Sequence, residues 1–150
     1  MFILKELNLS INKIEGMVSI KSGQLRQLQK LDLSHNKISH VSLCGSVKLI
    51  TLYLQNNQIS RADLIELNNL ESLYLDSNLI SSLSKENLLM VNLTRLKWLG
   101  LQQNIISTID FVCLSQLTSL AYLDLSGNKI TSFHLDSFKF YLNHLKNVRI

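Results

Sequence analysis

The chain contains no proline, five glycines, two cysteines and only 7% aromatic residues in 150 positions. With 46% apolar residues, so little Pro and Gly excludes a disordered chain. Cys44 and Cys113 are too few for a disulfide scaffold, and their spacing fits no zinc or redox motif, so both read as small buried hydrophobes. No uncharged apolar run approaches the roughly 18 residues of a membrane span, and Met1–Ile11 lacks the regions of a signal peptide. A soluble chain that stays where it is made, cytoplasmic by default, is the resulting expectation. Also missing are a phosphate-cradling Gly-rich loop, a Gly-x-Ser-x-Gly elbow and any clustered His or Cys set, since His35, His40, His134 and His144 are scattered. The sequence therefore assigns no catalytic residue, no cofactor and no metal site.

What the chain has in abundance is leucine, 32 residues, with 14 isoleucines. Aligned on Leu, they repeat: LKELNLSINKI from Leu4, LQKLDLSHNKI from Leu28, LITLYLQNNQI from Leu49, LESLYLDSNLI from Leu70, LKWLGLQQNII from Leu96 and LAYLDLSGNKI from Leu120. A truncated LKNVRI runs from Leu145 to Ile150, and successive starts lie 24, 21, 21, 26, 24 and 25 residues apart. Chance gives fewer than about one full match to L-x-x-L-x-L-x-x-N-x-I, against six present. Residues 1–150 thus form one domain of six full repeats and part of a seventh.

Leu at the first, fourth and sixth motif positions gives a short strand with one apolar and one solvated face. One unit cannot bury that face alone, so units stack with parallel strands, and Leu7, Leu31, Leu52, Leu73, Leu99 and Leu123 form one core column. Asn12, Asn36, Asn57, Asn78, Asn104 and Asn128 follow each strand, where the turning backbone leaves polar groups in need of partners, so their expected role is a structural ladder. Some of the more variable return segments are expected to be helical. Ser84–Val91 opens with a cap and an acidic first turn, and Asp63 and Asp110 are further cap candidates. Ile109, Leu114 and Leu117, then Phe133, Phe138 and Leu142, mark two longer returns.

These residues resemble the leucine-rich repeat family from Leu4 to Ile150, and the longer returns resemble those of animal cell-surface members such as Toll-like or adhesion receptors. The resemblance implies an α/β solenoid, a curved horseshoe with a parallel sheet on its concave face and short helices or turns on its convex face. No cysteine-rich cap is visible at either end, which is read as a fragment or as ends covered by a partner, with end-to-end association through uncapped termini as a further expectation.

Outward residues occupy the third and fifth motif positions. The third collects Glu6, Lys30, Thr51, Ser72, Trp98, Tyr122 and Asn147, and the fifth Asn8, Asp32, Tyr53, Tyr74, Gly100, Asp124 and Arg149. Tyr53, Tyr74, Trp98 and Tyr122 share this face, large amphipathic rings of the kind that anchor protein interfaces, although stacking that only stiffens the sheet explains them too. Asp32, Glu71, Asp76 and Asp124 make the middle of the patch acidic, which favours a partner with basic character. Five basic and five acidic residues balance on this face, so the net charge of +4 comes from flanks and returns, including Lys13, Lys37 and Lys129. Aromatics set among acids rather than among Lys and Arg disfavour nucleic acid.

The expected function is non-catalytic recognition of a protein partner on the concave face. Its alternatives are a piece of a receptor ectodomain and a structural spacer without a ligand. Cys44 and Cys113 lie three repeats apart, roughly 15 Å at strand spacing and beyond disulfide reach, which favours a reducing compartment. Asn8-Leu-Ser and Asn92-Leu-Thr match the N-glycosylation pattern, at the frequency chance would give.

Overall fold

A computed structural model describes residues 3–46 and 48–150. Each motif contributes a three-residue strand: β1 (Glu6–Asn8), β3 (Lys30–Asp32), β5 (Thr51–Tyr53), β7 (Ser72–Tyr74), β10 (Trp98–Gly100), β12 (Tyr122–Asp124) and β13 (Asn147–Arg149). They form one sheet in the order β1-β3-β5-β7-β10-β12-β13, with every pair parallel. Leu7, Leu31, Leu52, Leu73, Leu99 and Leu123 stand in register, followed by Val148. From the second repeat to the sixth, the first, fourth and sixth Leu of every motif are at most 3% exposed, so the columns merge into one core. The solenoid expected from the repeat is the observed fold.

A left-handed residue at the eighth motif position, three residues beyond the strand, follows each of the first six motif strands: Ile11, His35, Asn56, Ser77, Gln103 and Gly127, with φ between 53° and 70°. Only one of the six is glycine. From Ile11 to Gln103, the N–H of this residue donates to the seventh-position carbonyl of the next repeat, so the chain turns while the inter-repeat ladder continues. Ile11 is the costly case, because a β-branched side chain crowds the backbone there.

The first four returns depart from the expected helices or turns. In these, β2 (Glu15–Ile20), β4 (Lys37–Cys44), β6 (Arg61–Ile65) and β9 (Leu88–Val91) build a second parallel sheet in that order. A two-stranded pair, β8 (Ser82–Leu83) with β11 (Thr108–Ile109), continues beside it. Ser84–Val91, expected to be helical, is a turn that leads into β9. Leu88 and Met90 point inward while Leu89 and Val91 are half-exposed, a period of two. The Ser84 carbonyl accepts from Asn87 and Leu88, which closes the turn. Asp63, a candidate cap, lies within β6 and takes bonds from Arg61 Nε and His40 Nε2, each at 3.0 Å.

Among the described residues, helices occur only in the fifth and sixth returns: α1 (Phe111–Ser115) and α2 (Leu135–Tyr141). Asp110 does cap α1, its carboxylate accepting the Val112 N–H at 3.0 Å. Leu114 and Leu117 are fully buried, and Phe111, Phe133 and Phe138 pack with ring centroids 5.3–6.2 Å apart against the core. Among the described residues, no helix is long and apolar enough to cross a membrane.

Candidate recognition face

The register of the seven-stranded sheet sets the third-position residues in one row, from Glu6 to Asn147, and the fifth-position residues in another, from Asn8 to Arg149. Tyr53 and Tyr74 are neighbours in the fifth-position row and stack in parallel, centroids 4.9 Å apart and planes 7° apart. Trp98 and Tyr122 are neighbours in the third-position row at 5.6 Å. A diagonal contact of 6.3 Å between Tyr74 and Trp98 joins the pairs, so four repeats carry one continuous aromatic stripe. Only Tyr122, at 42% exposure, is largely open to solvent, since the other three shield one another.

The stripe changes rows at β10, where the fifth position is Gly100. A Cβ there would lie 2.6 Å from Asp76 Oδ1, so the Asp76 carboxylate rests against the bare glycine backbone. This notch lies between Tyr74 and Asp124, the register neighbours of Gly100. Asp76 accepts the Gln102 N–H at 3.2 Å, and among the described residues no cation pairs with it. Burial pushes its carboxyl above the usual carboxylate range; the Gln102 bond opposes this, and the negative charge on Asp124 adds to the rise.

The other candidate acids are engaged. Asp124, 8% exposed, accepts the Ser126 N–H at 3.0 Å and its hydroxyl at 2.6 Å, and Arg149 Nη1 approaches its other oxygen at 3.8 Å. Asp32 holds Ser34 in the same way, at 3.0 and 2.6 Å, and Asn8 holds Ser10 at 2.8 and 2.7 Å. These side chains therefore close the turn after their strands, a role legible in the recurring Asn/Asp-Leu-Ser triplet but not read from it. Glu71 pairs with Lys97 at 2.9 Å, and Lys30 Nζ lies 5.5 Å from the Tyr53 ring centroid. Beyond Asp124, Trp98, Tyr122, Leu123, Asp124, Asn147 and Arg149 line a cavity of about 230 Å³.

Behind this face runs the asparagine ladder. Asn36, Asn57, Asn78, Asn104 and Asn128 each accept, at 2.9–3.0 Å, the N–H of the motif-final Ile one repeat earlier. Each also donates to that repeat's sixth-position Leu carbonyl and to its own. Among the described residues, Asn12 bonds only within its own turn, to Leu9 and Ser10.

His40 faces Asp63 on the opposite sheet, and His144 Nε2 lies 3.1 Å from the Leu117 carbonyl. Both thiols are free; Cys44 is half-buried rather than buried, and burial followed by the Asp110 contact pushes Cys113 up to about 11. Among the described residues, no group of three or more His, Cys, Asp or Glu is placed to hold a metal ion.

Comparison with known proteins agrees with this architecture. A family model described as leucine rich repeat matches residues 3–59, 68–130 and 94–147, and one described as leucine rich repeats (2 copies) matches 47–88. No curated protein matches the chain. Among solved structures, a leucine-rich repeat protein of Leptospira interrogans superposes with a TM-score of 0.71 at 24% identity. The match covers 98% of this chain and 37% of that one, so the chain spans little more than a third of its structural relative. On the family model's coverage of most of its length, the chain belongs to the leucine-rich repeat family.

Proposed function

We propose that the chain is a non-catalytic recognition module whose protein partner docks on the outward face of the seven-stranded sheet. Repeats of this family generally mediate protein–protein interaction. The observation that carries the reading is the stripe Tyr53–Tyr74–Trp98–Tyr122, four rings in unbroken contact on the solvent side of a sheet whose core is already filled by leucine. Such rings supply contact area at low entropy cost, and Asp32, Glu71, Asp76 and Asp124 form a polar surround. The six ladder asparagines are structural in this reading. Five of them, Asn36 to Asn128, tie successive repeats together from behind the face, and Asn12 closes its own turn.

The parallel Tyr53–Tyr74 stack favours one competing reading, a spacer whose rings only stiffen the sheet. A photo-crosslinker at Ser72, on the face, is compared with one at exposed Ser39 on the other sheet, in the protein's own cells. Adducts from Ser72 alone, lost with unchanged melting when all four aromatics become Ser, are the expected result. No adduct from Ser72, together with a lowered melting temperature in the four-residue variant, would establish the spacer.

A further inference from the structure

We infer that the partner presents an arginine side chain to this face, received between the rings of Trp98 and Tyr122 and the carboxylates of Asp124 and, across Gly100, Asp76. The inference rests on the recognition reading above and names the chemistry of its contact.

The negative charge here is built rather than incidental. Asp76 is drawn over Gly100, where any side chain would displace it, and so turned towards a second carboxylate, that of Asp124. Two like charges brought together in a half-buried site raise each other's free energy, and a cation relieves both. Glu71 is neutralised by Lys97, and Ser34 and Ser126 each hold one oxygen of Asp32 and Asp124, whereas among the described residues Asp76 has no cation and the second oxygen of Asp124 meets only a loose one.

That loose cation indicates the kind of group the site accepts. Arg149 holds a guanidinium 3.8 Å from Asp124 Oδ2, too long for a hydrogen bond, on a side chain that is 72% exposed. It marks the position without filling it. A planar guanidinium suits the place better than an ammonium, because it stacks on aromatic faces and donates to two carboxylates through separate N–H groups. The cavity beside Asp124, at about 230 Å³, is smaller than the roughly 300–1,000 Å³ pockets of drug-sized ligands and fits one side chain. The net charge of +4 gives no general attraction for polycations, so binding of one has a local cause.

Trp98 is the only tryptophan in the chain, so intrinsic fluorescence reports directly from the site. Acetylated tetra-arginine, tetra-lysine and the uncharged isostere tetra-citrulline are titrated against the protein. A saturable change in emission with tetra-arginine is expected, at least about tenfold weaker with tetra-citrulline and weaker with tetra-lysine. Asp76→Asn and Gly100→Ala should each weaken tetra-arginine by about fivefold or more, the first by removing charge and the second by moving it, while Arg149→Gln should tighten it. Circular dichroism confirms that each variant is folded. A flat titration, equal response to tetra-citrulline or an unaltered Asp76→Asn affinity overturns the arginine site. Equal response to tetra-lysine overturns the choice of guanidinium. A flat titration with Ser72 adducts intact removes only the arginine site, whereas loss of those adducts removes the recognition face itself.

Discussion

The two sheets of the solenoid are built by different rules. On one side, the same motif makes the same three-residue strand seven times. On the other, four returns cross as strands and two as helices. Repeat length does not choose between them, since the first and fifth repeats are both 24 residues long. The local pattern chooses. Val41 and Leu43 in β4, Ala62 and Leu64 in β6, and Leu88 and Met90 in β9 face the core with the alternation of a strand, and Ile38 joins them across a register shift in β4. In the fifth return, Asp110 supplies a helix cap and Phe111, Leu114 and Leu117 recur every three residues. The comparison teaches that in a solenoid each repeat needs only to cover its own stretch of core, so the covering element can change from one repeat to the next.

Removing what fills the space beneath the helices tests this most severely. Phe111→Ala should cost about 3–5 kcal/mol, because it leaves a cavity between Phe133, Phe138 and the core. Amide exchange should quicken in α1, α2 and β12 while β4 and β6 keep their protection. Uniform loss across both sheets would show that the two halves do not differ in their cover.

The ladder common to both halves comes next. Asn57→Ala should cost about 2–3 kcal/mol in a urea melt, since it strands the Ile38 N–H and the Leu33 and Leu54 carbonyls in the core. Asn12→Ala, which bonds only its own exposed turn, should cost less than about 1 kcal/mol.

Caps and turns give smaller effects. Asp110→Ala should cost about 1 kcal/mol through the lost cap of α1. Ile11→Gly should instead stabilise, by up to about 1 kcal/mol, because it relieves a β-branched residue at φ 55° whose side chain is 80% exposed.

The smallest effect separates the two sheets by acid titration. Burial pushes the Asp63 carboxyl up, but its bonds from Arg61 and His40 outweigh this and hold it below the usual range. The stability it contributes is therefore present at neutral pH and lost as pH falls below about 4. The Asp76 carboxyl is raised, so its sign is opposite: its contribution is present in acid and lost as pH rises through its raised value. Asp76→Asn should accordingly raise the melting temperature slightly at pH 7 and leave it unchanged near pH 3, whereas Asp63→Asn should lower it at pH 7. Equal responses from the two variants would contradict the opposed electrostatics of the two faces.

Much of this was legible in order of residues alone. The spacing of Leu and Asn fixes the strand, its inward and outward faces and the register of its stacking, because period-two alternation and a constant motif admit one alignment of neighbours. It therefore puts Tyr53 beside Tyr74 and Trp98 beside Tyr122. It does not join the two pairs, since the diagonal Tyr74–Trp98 contact depends on ring orientation across rows. The fourth return differs from the expected helix for a related reason. Ser84-Lys-Glu has the composition of a helix start, but the Leu88–Val91 run behind it can pair with β6, and a strand partner already in place outweighs local helical preference.

The sequence by itself determined the repeat, the core column and the row on which each outward side chain stands, because these follow from backbone periodicity. Only the tertiary structure decided which carboxylates meet a partner in their own turn and which one reaches the next repeat without meeting a cation. That depends on lateral neighbours: Ser34 and Ser126 answer Asp32 and Asp124 from two residues away, while Asp76 reaches into the next repeat and finds the bare backbone of Gly100. A free charge beside a continuous aromatic stripe is a property of that packing, since no motif within a single repeat contains both.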